Sequence, residues 1–328
     1  MGTRRLRDLN INPDIQLGLL DERADRRERA RARFGIPVYA HIDDAMAWTP
    51  EALVISTPPG TKKPFIDLAL ERGLHHFSEA DIWSYDAPTI ERISRDKMLI
   101  SAPSCSFAFL PLVQQIAPLI RSELGKLLSY QAFMATYMPS WHPGEGTEYY
   151  ARHRNTAPAR EMICFELHWL QRLFGPAVSV TGDFAKYGKL PENTEDTWSI
   201  SQRLRGGSLG QLSITMACPT DYRRGTCFGT NGFLTWDINS GDYSWQIDGQ
   251  NLQRENAGRT SEVIEPTYAA EISTFIAAIQ GRGTWPHPYA ASQQASATLA
   301  AAEHSSIGGG WVPVVPDRSP DPAPPSHP

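Results

Sequence analysis

The sequence predicts an α/β protein in two parts: a doubly wound parallel sheet over residues 1–103, then an α+β part over 104–315 built on a large, open, mainly antiparallel sheet. Three observations carry this expectation. Short apolar runs alternate with helical stretches of about 10 to 15 residues as far as Ser101, the pattern of strand–helix crossovers. From about residue 125 strands follow one another across short turns such as Gly206-Gly207, which implies antiparallel pairing. The length, 328 residues, also exceeds what one core usually supports.

The elements follow in order. Residues 3–10 have helical composition, and Pro13 is a stop signal. Ile15 to Leu20 reads as a short strand ending in Asp21. An acidic residue there suits a dinucleotide fold, because two carboxylate oxygens accept from the 2′- and 3′-hydroxyls of a ribose together. An Asp opening a helix is also a cap, and one residue can serve both ends. A charged helix runs over 22–34 to Gly35, a strand over 37–39, a brief helix over 42–48, and an apolar buried strand over 52–56. Helix 61–72 stops at Gly73, strand 75–78 follows, and helix 86–95 leads to strand 99–101. Ligands of such sheets bind beyond the carboxyl ends of the strands, where Asp21, Thr57 and Glu79 fall. Lys62 and Lys63 stand at a helix start, unfavourable for cations unless an anion such as a cofactor or substrate phosphate lies nearby; otherwise they are a solvated pair.

In the second part, 129–138 is a long strand and 159–174 a helix. The stretches 177–184, 196–204, 209–217, 226–238 and 243–248 read as strands, and 267–280 and 289–304 as closing helices. The tail 316–328, rich in Pro, Asp and Ser, is expected to be disordered.

Composition excludes several classes. A net charge of -5 is wrong for a general nucleic-acid binder. No apolar run approaches the roughly 20 residues that span a bilayer, and the N-terminus lacks the apolar stretch of a signal peptide, so a cytoplasmic protein is expected. Cys105, Cys164, Cys218 and Cys227 have neither disulfide-framework nor zinc spacing, and no metal site is expected.

The turn Ser56-Thr57-Pro58-Pro59, Glu79 after the following strand, Gly229-Thr230-Asn231-Gly232 before a strand containing Trp236, and the helical segment Tyr268 to Phe275 stand in an order that resembles the glucose-fructose oxidoreductase/inositol dehydrogenase family, Gfo/Idh/MocA. The segment Trp141-His142-Pro143-Gly144-Glu145, followed by Glu148, looks like the loop of members associated with nucleotide-sugar and surface-polysaccharide metabolism. The resemblance implies an NAD(P)-dependent oxidoreductase acting on a sugar or nucleotide sugar, with cofactor along Gly2, Asp21, Thr57, Pro58, Pro59 and Glu79. Asp21 favours NAD over NADP, since a carboxylate repels a 2′-phosphate. Substrate is expected between the domains near the catalytic candidates His142, Glu145 and His168, with His142 or His168 moving the proton, and a homo-oligomer through the open sheet face.

Three departures bear on that expectation. The family's first strand and first two glycines of G-x-G-x-x-G are absent, with Gly2 matching the third; the expectation is an in-frame apolar strand ending in Gly-x-Gly upstream of Met1. Ala80 stands where hydride-transferring members usually carry lysine. Phe165 takes the usual place of a histidine on helix 159–174, and His168 the place of an aspartate, so His168 is a displaced acid/base or a buried structural residue. Arg160, Glu161 and Glu166 on that helix are further polar candidates. Arg223-Arg224 either reach a nucleotide-sugar phosphate or are solvated. A catalytically degenerate member that binds a sugar or a partner without turnover is the competing expectation.

Overall fold

The computed structural model describes residues 1–83, 85–141, 154–156, 158–189 and 194–316. Its first part alternates α1 (Gly2–Leu9), β1 (Leu19–Leu20), α2 (Ala24–Phe34), β2 (Val38–Tyr39), α3 (Ile42–Ala47), β3 (Ala52–Ile55), α4 (Lys63–Arg72), β4 (His75–Ser78), α5 (Ala87–Asp96) and β5 (Ser101–Pro103). Every pairing here is parallel. α2 and α4 end on Gly35 and Gly73, at φ 66° and 70°, where a side chain would be strained.

The parallel strands form two sheets, β1–β2 and β3–β4–β5. Among the described strands β1 pairs only with β2, and β3 only with β4, so each keeps one unpaired edge. Leu19, Leu20 and Leu53 stay partly exposed.

The second part comprises α6 (Pro111–Ser122), β6 (Leu127–Tyr137), α7 (Pro158–Phe174), β7 (Ala177–Ala185), β8 (Thr197–Leu204), β9 (Leu209–Thr215), β10 (Ala217–Gly229), β11 (Gly232–Asp237), β12 (Asp242–Ile247), β13 (Gln253–Asn256), α8 (Thr260–Ile279), α9 (Tyr289–Gly308) and β14 (Val312–Pro313). The strands make one nine-stranded sheet in the order β13-β12-β11-β10-β6-β9-β8-β7-β14, antiparallel except for β6 beside β9. Period-two burial along β6 turns Tyr130, Ala132 and Met134 to the core and leaves Phe133 and Tyr137 exposed on the other face. The closing helices return to the first part: Ile272 and Phe275 of α8 pack with Phe77, and Tyr289 of α9 packs with Ile55 and Ile66.

Several boundaries differ from the sequence reading. The stretch 226–238 is not one strand; the chain reverses at Thr230-Asn231 and pairs Gly229 with Gly232. A Cβ at Gly232 would lie 2.0 Å from the Gln246 carbonyl oxygen, so only glycine lets β11 close on β12. β13, the polar Gln-Arg-Glu-Asn, has no apolar alternation to reveal it. α8 begins before Pro266 rather than after it, because proline marks a helix start in sequence but here lies inside one. No helix among the described residues is long and apolar enough to cross a membrane. Residues 317–328 of the tail lie outside the described residues.

Candidate active site

Asp21, Thr57 and Glu79 follow β1, β3 and β4 and so stand along the carboxyl edge of the parallel strands. α1 starts at the same edge, since a Cβ on Gly2 would lie 3.8 Å from Ser56 Cβ. The Asp21 carboxylate accepts from the Arg23 amide at 2.9 Å and stands 3.6 Å from Arg26. Thr57 Oγ1 is buried with no hydrogen-bond partner. Pro58 is exposed and Pro59 buried, and the Pro58 carbonyl accepts from the Thr61 hydroxyl at 2.8 Å, which closes the turn. An orphaned hydroxyl and a half-buried carboxylate with bonding capacity left over fit a dinucleotide laid along this edge.

Glu79 is engaged by a residue the sequence reading missed. Arg5, 1 % exposed, donates Nε to Glu79 at 2.7 Å and Nη2 to Glu271 of α8 at 2.6 Å, with its guanidinium over the Phe77 ring at 4.6 Å. Burial pushes the Glu79 carboxyl up most strongly, but the Arg5 charge and hydrogen bond, the Met1 amino group and Lys62 together outweigh it, leaving it below its ordinary value. Glu271 also accepts from the Ser104 hydroxyl, the Cys105 amide and the Ser106 hydroxyl, at 2.8, 2.8 and 2.9 Å. The sole local signal was that Arg5 shares the buried helix face with Leu9, four residues on.

Beyond Glu79 the lysine pair separates. Lys63 is exposed and bonds Asp67 at 2.6 Å. Lys62 is buried: Nζ donates to the Ala80 carbonyl at 3.2 Å and to Asp81 Oδ2 at 3.1 Å. The anion that tolerates a cation at this helix start is thus Asp81, within the chain.

α7 carries the remaining polar candidates. Glu161 in its first turn is half-buried, and its carboxyl is raised to about 7, chiefly by burial; Lys62 opposes the rise, while Asp81 and Glu79 add to it. Phe165 packs edge-on against Phe107 at 4.8 Å. Arg223, far from being solvated, lies over both rings at 4.4 and 5.4 Å and pairs with Glu166, whose other oxygen accepts from Trp169 Nε1 at 2.9 Å. Arg224 is exposed and pairs with Asp237. His168 is buried, its ring 5.2 Å from that of His287 and Nε2 3.5 Å from the Ser292 hydroxyl. Burial lowers its imidazole to about 4. Trp141, at the head of the expected sugar loop, donates Nε1 to the Thr136 hydroxyl at 2.9 Å; His142, Glu145 and Glu148 lie outside the described residues. The edge therefore gathers Gly2, Thr57, Glu79, Lys62, Asp81 and Glu161, with His168 buried further along α7.

Comparison with known proteins follows the same division. Residues 1–80 match the oxidoreductase family with NAD-binding Rossmann fold, and residues 113–235 match the GFO/IDH/MocA C-terminal domain. No curated protein matches. Among solved structures, GenD2 from gentamicin A biosynthesis in complex with NAD is 20% identical, covers 95% of this chain and 93% of its own, and superposes with a TM-score of 0.79. Levoglucosan dehydrogenase in complex with NADH is 14% identical over 96% of both chains, with a TM-score of 0.83. A putative NADPH-dependent oxidoreductase from Desulfitobacterium hafniense is 17% identical, covers 95% of this chain and 94% of its own, and gives 0.80. At such identities the likeness shows the fold. With both halves matched by its domains and the fold shared nearly end to end, the chain belongs to the Gfo/Idh/MocA family, and its first domain is that family's NAD-binding Rossmann domain.

Proposed function

We propose that the protein is a cytoplasmic NAD-dependent oxidoreductase that interconverts a carbinol and a carbonyl on a sugar or nucleotide sugar of surface-polysaccharide metabolism. The observation that carries this reading is the row of Asp21, Thr57 and Glu79 along the carboxyl edge of the parallel strands, with Glu161 of α7, whose carboxyl burial raises to about 7, as the proton carrier. Levoglucosan dehydrogenase, a neighbour in fold, has been solved with levoglucosan and with L-sorbose, which supports a sugar as the substrate class.

Bound NAD would supply the two-electron acceptor for the C–H bond. Asp21 and the Thr57 hydroxyl would hold its ribose side and the start of α1 at Gly2 its phosphates, with Pro58 and Pro59 shaping the turn and Glu79 marking the nicotinamide end. Glu161, ionised, takes the hydroxyl proton as the carbinol is oxidised and returns it in the reverse direction. A group with its pKa near the working pH is populated in both forms and suits the task. His168 is left a structural part, because a buried imidazole near 4 is a weak base at neutral pH. His142 and Glu145 are assigned to the sugar hydroxyls. Exposed Phe133, Tyr137, Tyr222 and Phe228 on the open sheet face would pair with a second copy; a monomer by light scattering would remove that assignment.

The aromatic contact of Phe165 with Phe107, together with Ala80, favours a second reading, a protein that binds a sugar without turnover. Calorimetry with NADH and a spectrophotometric assay across aldoses, polyols and nucleotide sugars separates the two. Turnover in the wild-type protein, reduced about 100-fold in Glu161→Gln with NADH affinity retained, is the expected result. Failure to bind NADH ends the first reading. Binding without turnover, with activity appearing only in Ala80→Lys, establishes the second.

A further inference from the structure

The turn between β3 and α4 carries Thr57, Pro58 and Pro59, yet little in it is self-supporting. Two of its residues are prolines and offer no amide. Its internal bonds run from the Thr61 amide and hydroxyl to the Pro58 carbonyl, at 3.3 and 2.8 Å. Among the described residues, the bonds that fasten it to the rest of the chain all end on the loop after β4. The Gly60 amide donates to both Asp81 oxygens at 3.2 Å, and Lys62 Nζ donates to Asp81 Oδ2 at 3.1 Å and to the Ala80 carbonyl at 3.2 Å.

The loop is itself held. Asp81 also accepts from the amides of Ile82 at 2.7 Å and Trp83 at 3.3 Å and from the Tyr85 hydroxyl. The Trp83 indole closes over the turn. A Cβ on Gly60 would lie 2.7 Å from Trp83 Nε1, and Gly60 sits at φ 77°, so a side chain there would be strained and would displace the ring. The second part of the chain fixes Trp83 in turn: its carbonyl accepts from the Ser296 hydroxyl of α9 at 3.3 Å, and its ring stands 5.7 Å from the Arg160 guanidinium of α7.

Stability is a poor account of the Lys62–Asp81 pair. Taking two charges out of water costs about what their attraction returns, and an apolar pair of similar volume often does as well. A buried pair does, however, admit one arrangement of the two segments that carry it. That arrangement has a use here, because the buried Thr57 hydroxyl, three residues before the Gly60 amide, is left without a partner at the edge that takes the dinucleotide. We propose that Asp81 is a positioning residue for NAD: by taking the Gly60 amide and the Lys62 ammonium it fixes the turn that presents Thr57, Pro58 and Pro59 to the cofactor. Its own side chain, 2% exposed, offers the cofactor no surface. The proposal rests on the cofactor placement given above and is independent of the sugar and of Glu161.

The test measures NADH affinity by nicotinamide fluorescence, and amide exchange over residues 57–62 in the cofactor-free, full-length protein. Asp81→Asn keeps the shape and removes the charge. Lys62→Met combined with Asp81→Asn, which strands no ammonium, is the second variant should the first not fold. Phe184→Leu is the control, since it loosens a ring stacked on Trp198 at 4.1 Å in the nine-stranded sheet. A turn correctly set in about a tenth of the molecules raises the apparent Kd about tenfold, and that is the change expected in both Asp81 variants. Exchange at Gly60 should quicken in them and slow again when NADH binds. Phe184→Leu should lower Tm and leave both readings at their wild-type values. Asp81 variants that lose thermal stability but keep the wild-type Kd would make the pair a tie between two loops and overturn the proposal, as would a control that weakens NADH equally; either result leaves the functional reading standing. Wild-type protein that binds NADH in an Asp81-dependent way but turns over no sugar supports the proposal and removes the sugar reading alone. Failure of the wild-type protein to bind NADH removes both.

Discussion

Replacing Arg5 by alanine is expected to cost about 3–5 kcal/mol in urea unfolding at pH 7, the range for removing one partner of a buried ion pair. The guanidinium is 1 % exposed and serves two carboxylates at once, Glu79 at 2.7 Å and Glu271 at 2.6 Å, while also donating to the Tyr268 carbonyl at 3.1 Å. Alanine leaves Glu79, whose side chain is only 12% exposed, with one hydroxyl donor, from Ser56 at 3.3 Å, and leaves buried Glu271 with three neutral donors. The most damaged group is therefore Glu79. Arg4, one residue earlier, is a built-in control: it pairs with Glu265, but both side chains stay well exposed, at 31% and 43%. Arg4→Ala should cost no more than about 1 kcal/mol, because water solvates both partners once they separate. The double variant Arg5→Met, Glu79→Gln should recover part of the loss, since it removes the stranded charge. Equal, small costs for Arg4→Ala and Arg5→Ala would contradict the buried network.

That arginine marks the limit of what the sequence makes legible. The alternation of apolar strands with helices, the Gly35 and Gly73 stops and the change to successive strands are local patterns, and each has its counterpart in the structure. Charge burial is different, because it depends on partners far along the chain. Arg5 meets Glu79 and Glu271 across 74 and 266 residues, and Lys62 meets Asp81 across 19, separations that no periodicity records. Glu161 stood among the polar candidates of its helix, with nothing in its local pattern to set it apart from Glu166, which is held by Arg223.

Three buried imidazoles should make the protein lose stability steeply between pH 6.5 and pH 4. His76, His168 and His287 are each at most 2 % exposed, and each has a ring nitrogen without a hydrogen-bond partner. Burial lowers His76 and His168 to about 4, and His287 well below its ordinary value, with the neighbouring His168 adding to the last. The sign follows from the proton count. Below pH 6.5 the unfolded chain binds protons that the folded chain refuses, so stability is complete above the unfolded pKa and drains away as pH falls through the folded value. At about 1.4 kcal/mol per pH unit for each group, His76 and His168 would each cost about 2 kcal/mol by pH 5. Glu161 works against them. Its raised pKa makes the folded state the better proton binder in the same range, which returns about 2 kcal/mol. The net loss remains a large share of the roughly 5–15 kcal/mol that holds a typical domain folded. Urea midpoints measured from pH 7.5 to pH 4.5 should therefore fall, and His168→Asn should flatten the slope by nearly one proton over pH 6 to pH 4.5, whatever its effect on absolute stability. An unchanged slope in that variant would mean that His168 takes up its proton in the folded state, and that the His168–His287 contact opens to water before the fold is lost.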